Sequence, residues 1–237
     1  MSVRTDPRGE RSGAARPRYR LPVPARSIEL KPLILRTGRT IQEDVPAEHV
    51  HYAGDIDLLR NKAVSIVGTR EVTEEGARRA ARLARELIAA GVVVVSGLAK
   101  GVDTAALSSA LDVGGRTTAV IGTPLQKAYP IENAGLQMEI AERHLLLSPF
   151  AEGEAVFRGN FPKRNKVMAL LSDATVIIEA SDTSGTLHQA AECTKQGRWL
   201  FILKSVVDDP RVQWPKRFLN AERTVVLTST DDILTRI

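Results

Sequence analysis

The chain has 237 residues, 43% hydrophobic and 26% charged, a balance that excludes fibrous and wholly disordered classes. Thirty-three Lys and Arg against 28 Asp and Glu leave a net charge of +5, which points toward polyanionic partners. The single cysteine, Cys193, closes no internal disulfide, and no stretch approaches the roughly 18 apolar residues of a membrane span. The N-terminal stretch has no apolar leader core, so a cytoplasmic protein without membrane contact is expected.

Residues 1–26 hold seven Arg against Asp6 and Glu10, four prolines and almost no periodicity, the pattern of a flexible basic arm. Residues 27–60 form a lead-in segment of ambiguous structure, in which SIELKPLIL fits a short strand and YAGDIDLL a turn entering a helix. From residue 61 a regular alternation begins. AVSIVGT (63–69) is a β-branched apolar run of the kind buried on both faces of a sheet. Thr73 fits a helix N-cap, with Glu74 and Glu75 in the first turn and an apolar stripe of Ala80, Leu83, Ala84, Leu87 and Ile88 behind it. The cycle repeats: VVVVSG (92–97), a helix from about Asp103 to Val113, TTAVIGT (117–123), a helix near 133–143, and HLLLSPF (144–150). A helix near 163–172, TVIIEAS (175–181), a helix from about Thr186 to Gln196, WLFILK (199–204) and TVVLTS (224–229) complete it. Such alternation predicts βαβ units, and hence a doubly wound α/β domain with a mostly parallel sheet and helices on both faces.

In such sheets ligands bind beyond the carboxyl ends of the strands. The segments expected there are Gly68-Thr69-Arg70, Ser96-Gly97-Leu98-Ala99-Lys100-Gly101-Val102-Asp103, Gly122-Thr123-Pro124 with Tyr129-Pro130-Ile131-Glu132-Asn133, and Ser181-Asp182-Thr183-Ser184-Gly185-Thr186. Glycines let backbone N–H groups approach an anion, hydroxyls add donors, and helix N-termini add positive potential. Any one such loop is explained as a tight turn; four on one edge, with Arg70 and Lys100 among them, predict an anion-binding crevice. Neither GxGxxG nor GxxxxGK[ST] is present, so no standard dinucleotide or P-loop site is expected.

A second concentration precedes the fifth of these strands. Residues 155–172 carry Arg158, Lys163, Arg164 and Lys166 and no acid, with Asn160 and Phe161 among them. Cations at a helix start oppose the dipole, which suits an anionic ligand, and Phe161 is placed either to stack on a base or to pack beneath the loop.

The segments IVGTR, VVSGLAKGVDTAA, AVIGTPLQKAYPIEN, LLLSPF, GNFPKRNKVMALLSDATVIIEA and TSGTLHQA, in this order and spacing, closely resemble the DprA/Smf family of DNA-processing proteins over about residues 47–237. The resemblance implies a Rossmann-like core that binds and protects single-stranded DNA, loads the RecA recombinase onto it in natural transformation, acts as a homodimer and needs no cofactor. Carried over by motif, Arg70, the SGLAKG loop, Lys163, Arg164 and Lys166 would grip phosphates, while Asn160 and Phe161 lie against the strand. Thr69 replaces the family's usual Ser in GSR, Ser184-Gly185-Thr186 replaces SGS, and LHQAAEC departs from the usual apolar run. Many members also carry an N-terminal helical domain and a C-terminal winged helix, for which this length leaves no room.

Two other functions compete. A LOG-type nucleotide-monophosphate phosphoribohydrolase places a catalytic Glu where this chain has Gln189, and an amide exchanges no proton near neutral pH. A SLOG-like sensor of small nucleotides would use the same phosphate-binding loops and is separable only by its ligand. The remaining residues have plainer readings. His49, His51 and His144 form no metal set, Cys193 packs as a small hydrophobe, and Asp103 caps its helix. His188 is placed where it could face the crevice. Trp199 is expected in the core and Trp214 in loop packing.

Overall fold

The computed structural model describes residues 19–237. The strands are β1 (Arg26–Glu29), β2 (His49–Gly54), β3 (Ala63–Val67), β4 (Val93–Ser96) and β5 (Thr117–Val120). They continue as β6 (Leu145–Ser148), β7 (Ala174–Ile177), β8 (Trp199–Leu203) and β9 (Thr224–Leu227). The longer helices are α1 (Leu30–Arg36), α2 (Glu74–Ala89), α3 (Val102–Asp112), α4 (Ala134–Arg143), α5 (Asn160–Leu170) and α6 (Thr186–Lys195). Two single-turn helices follow, α7 (Lys204–Val207) and α8 (Asp231–Leu234).

All nine strands join one sheet in the order β1-β2-β6-β5-β4-β3-β7-β8-β9. From β6 to β9 every neighbouring pair is parallel; β1 and β2 run antiparallel at one edge. Alternate side chains leave the sheet on opposite faces. Val64 and Ile66 of β3 pack with Ala80, Leu83 and Leu87 of α2 and Val102 and Ala106 of α3. Ala63 and Val67 face the other way, toward Met168 and Leu170 of α5 and Ala190 and Cys193 of α6. Helices thus cover both faces, which is why the strands read as continuous apolar runs.

The chain winds outward from β3 through β4 and β5 to β6, then returns to β7 beside β3 and winds the other way. The switch between β3 and β7 opens a crevice at their carboxyl ends. Local chemistry sets the ends of the first long crossover: Thr73 Oγ1 accepts from Gly76 N at 3.0 Å at the head of α2, and Gly91 at φ +77° stops it.

Several expectations need correction. The lead-in is not separate from the sheet, because β1 and β2 extend it beyond β6 and the boundary at residue 61 falls between two of its strands. Arg39, 5% exposed, staples it in place, donating to Leu59 O, Asn61 O and both carboxylate oxygens of Asp173 at 2.6–3.1 Å. The basic arm lies outside the described residues up to 18, but its remainder is part of the fold: Leu21 and Val23 pack beside α4, and Tyr19 Oη accepts from Gln137 Nε2 at 2.9 Å. The tryptophans exchange roles. Trp214 is fully buried with Nε1 donating to Ala180 O at 2.9 Å, whereas Trp199 is half-buried beneath Arg223 and Arg236.

Candidate nucleic-acid interface

The crevice at the switch point has a volume of about 350 Å³. Its rim is Arg70 and Glu71 after β3 and Ser181, Ser184 and Gly185 after β7; its floor is Val67, Met168 and Gln189. Phe161 forms a wall, with the Arg70 guanidinium carbon 5.4 Å from its ring centroid and the exposed Tyr129 ring at 5.9 Å. An exposed cation, two aromatic rings and the N-terminus of α6 thus share one edge of the sheet. Arg70 has no ion-pair partner among the described residues.

The residues expected to form the site fall into three groups. Thr69, Arg70, Phe161, Ser184 and Gly185 reach the mouth of the crevice. The hydroxyls there keep a free proton: Thr69 Oγ1 accepts from Glu71 N at 3.2 Å and Ser184 Oγ from Thr186 N at 3.2 Å, so each can still donate outward.

A second group holds the protein together. Ser96 is fully buried and donates to Ile66 O at 2.7 Å. The Thr186 hydroxyl donates to Gly68 O at 3.0 Å, tying the β3 turn to the head of α6. Asn160, 8% exposed, reaches Gly122 O and Ala155 O. Gly101 sits at φ +80°, where a Cβ would stand 2.4 Å from Thr69 O, so only glycine lets the two loops meet.

Arg164 is the main correction. It was expected to grip phosphate, yet it is 7% exposed, with its donors on Gly97 O (2.5 Å), Val120 O (2.8 Å) and Asn165 Oδ1 (2.9 Å). Its counter-charge is Asp103, whose Oδ2 accepts from Gly97 N and Ala99 N at 3.1 and 3.3 Å. Asp103 therefore does not cap α3; it folds the SGLAKG loop back over Arg164. A Cβ on Gly97 would fall 2.0 Å from that guanidinium. Burial pushes the Asp103 carboxyl above its usual range, opposed by Arg164 and the two backbone N–H groups. Asn133 completes the clamp, donating to Leu98 O and Thr104 Oγ1 at 2.9 Å.

The third group is displaced. Lys166 turns from the crevice toward Glu43, 3.6 Å away, in a separate groove beside Leu35. Lys163 lies over the Phe150 ring at 5.2 Å, and Lys100 pairs with Glu132 at 2.6 Å on the exposed side of its loop. The crevice is consequently less basic than the sequence suggested. Arg164 is buried with its charge offset by the nearby Asp103, and Glu71 stands beside Arg70, leaving Arg70 and the α6 terminus as the main attraction for an anion. His188 is exposed and lines no part of the crevice.

The sequence placed Tyr129 and Asn133 in a loop at the carboxyl edge without giving either a role, and it missed that Asp103 and Arg164, 61 positions apart with no shared motif, are buried together. It also treated Gln189 only as a failed catalytic position.

A family model described as DNA recombination-mediator protein A matches residues 37–237. The chain is 37% identical over 183 residues to the DNA processing protein DprA of Streptococcus pneumoniae, covering 77% of this chain and 64% of that protein. It is 40% identical over 167 residues to Protein Smf of Synechocystis, covering 69% and 42%. The chain thus spans roughly half the length of these relatives. The solved structure of the S. pneumoniae protein superposes with a TM-score of 0.78 at 32% identity, covering 92% of this chain and 76% of that one. The DNA processing protein A of Helicobacter pylori, which binds single-stranded DNA, gives 0.76 at 26% identity, covering 91% and 96%. This chain belongs to the DNA recombination-mediator protein A family.

Proposed function

We propose that the chain binds single-stranded DNA across the carboxyl edge of its sheet, with Arg70, Thr69, Ser184 and Gly185 on the sugar–phosphate chain and Phe161 and Tyr129 as stacking surfaces. One observation carries this. A guanidinium with no carboxylate partner among the described residues lies against an aromatic ring at the mouth of a crevice that also receives a helix N-terminus. Phosphate attraction with base stacking gives affinity that tolerates any sequence, which suits a strand-coating protein. The related H. pylori protein supports the ligand class.

Catalysis is no part of this function. The Gln189 amide occupies the position at which a LOG-type hydrolase would need an acid–base carboxylate, and it cannot move a proton there. We extend the family resemblance to a homodimer that hands its strand to a RecA recombinase in the cytoplasm; sedimentation and co-precipitation test those two contacts.

Titration with an oligonucleotide of about 30 residues, single- and double-stranded, at two salt concentrations tests the main proposal. The single strand should bind more tightly, with a log–log salt slope of about −0.7 per phosphate neutralised. A panel of free nucleotides run alongside separates strand binding from a small-nucleotide sensor. Absence of binding to the single strand at low salt, or tighter binding of a mononucleotide, would overturn it.

A further inference from the structure

We propose that Gln189 pairs with an unpaired base at the floor of the crevice, so that a hydrogen bond to the base edge sets the preference for single strands; this rests on the single-stranded DNA function above. Gln189 stands in the first turns of α6 and is 1% exposed. Its Nε2 donates to Thr175 Oγ1 at 3.2 Å, below the crevice in β7. Its Oε1 is enclosed and has no hydrogen-bond partner among the described residues. A buried carbonyl left bare costs about 1–3 kcal/mol, so this floor holds an acceptor in need of a donor.

What surrounds that acceptor narrows the donor. Val67 and Met168 form the apolar floor beside it, and Phe161 stands as a wall above. A carbonyl oxygen repels phosphate, so the phosphate stays at the mouth with Arg70, and the flat, donor-bearing part of the nucleotide is what descends. The volume of about 350 Å³ is that of a small-molecule site, enough for a base and its sugar.

The chemistry then selects for strandedness. Thymine offers N3–H, cytosine and adenine an exocyclic amine, and guanine N1–H, so one acceptor on the Watson–Crick edge accommodates all four bases. In a duplex each of these donors is engaged by the complementary strand. A single acceptor therefore discriminates unpaired from paired nucleotides without discriminating sequence.

The test compares oligothymidylate with the same oligomer built from N3-methylthymidine, against wild-type protein and Gln189→Met, a near-isosteric change. Wild type should bind the methylated oligomer about fivefold more weakly, the size of one net hydrogen bond. Gln189→Met should bind plain oligothymidylate about fivefold more weakly than wild type and lose nothing more on methylation. The salt slope should be the same in all four combinations, because no phosphate contact changes. Equal losses in both proteins would mean the methyl group merely obstructs, and no loss in wild type would mean that no base edge is read; either overturns the assignment. If Gln189→Met fails to fold, Gln189→Leu takes its place, because only a variant lacking the amide separates a lost hydrogen bond from obstruction by the methyl group. Lack of any wild-type binding to oligothymidylate would instead refute the single-stranded DNA function itself.

Discussion

Arg70 and Arg164 are both arginines that face the same crevice, and the structure assigns them opposite tasks, which salt titration can separate. Arg70 is exposed and pairs with no carboxylate among the described residues, so Arg70→Ala should leave thermal stability unchanged. If its guanidinium neutralises one phosphate, the slope of log K against log salt should become shallower by about 0.7. That single term scales as salt concentration to the power −0.7. Affinity should fall about fivefold at about 0.1 M salt and about eightfold at about 0.05 M, with the two proteins converging near 1 M. Arg164→Met should behave in reverse. It strands the Asp103 carboxylate at 4% exposure with only two backbone donors. Losing the buried hydrogen bonds of Arg164 together with the charge that offsets Asp103 costs about 3–5 kcal/mol, or about 6–20 °C in Tm for a domain of this size. Its affinity should drop because the SGLAKG loop loses its anchor, yet its slope should match wild type. Filter binding or fluorescence anisotropy below the transition of both variants, with calorimetry, supplies the data. A shallower slope with unchanged Tm for Arg164→Met would show that this side chain reaches phosphate and that the buried pair is misassigned. An unchanged slope for Arg70→Ala would place the strand on another face.

Two further outcomes test the scaffold. Arg39→Met unties the lead-in from Asp173 and should cost about 3–5 kcal/mol, with protease cleavage between β1 and β3 preceding loss of the parallel sheet; a Tm equal to wild type would refute the staple. Burial lifts the Cys193 thiol to about 12, so at pH 8 only on the order of one molecule in ten thousand carries the thiolate. A disulfide reagent should label it fully in denaturant and negligibly in the folded protein, and rapid labelling of the native state would contradict its packing beneath β8.

The positions of the elements were legible because each carries a local signature. The runs at 63–69, 92–97 and 175–181 are rich in β-branched apolar residues, and the Thr73 cap with its two glutamates marks the start of α2 to the residue. The edge strand β9 was legible, but the antiparallel edge was so only in part, because of the expected SIELKPLIL strand only Ser27–Glu29 lie in β1. β1 is only four residues with one half-buried side chain, and its pairing to β2 depends on residues twenty or more positions away. Trp214 illustrates the same limit: its nearest sequence neighbours are Val, Gln, Pro and Lys, and only the distant β7 loop gives its indole N–H a buried acceptor.

The sequence by itself determined that this is a doubly wound α/β protein with small, hydroxyl-bearing loops gathered on one edge, because backbone periodicity and turn chemistry are written in consecutive residues. Only the tertiary structure decided which cations remain available. Arg164 is drawn inward by Asp103, Lys166 outward by Glu43, and Arg70 is left over Phe161. The physical reason is that a charge takes its role from whatever opposite charge and solvent the fold brings within a few ångströms, and that proximity is not encoded in any local stretch of chain.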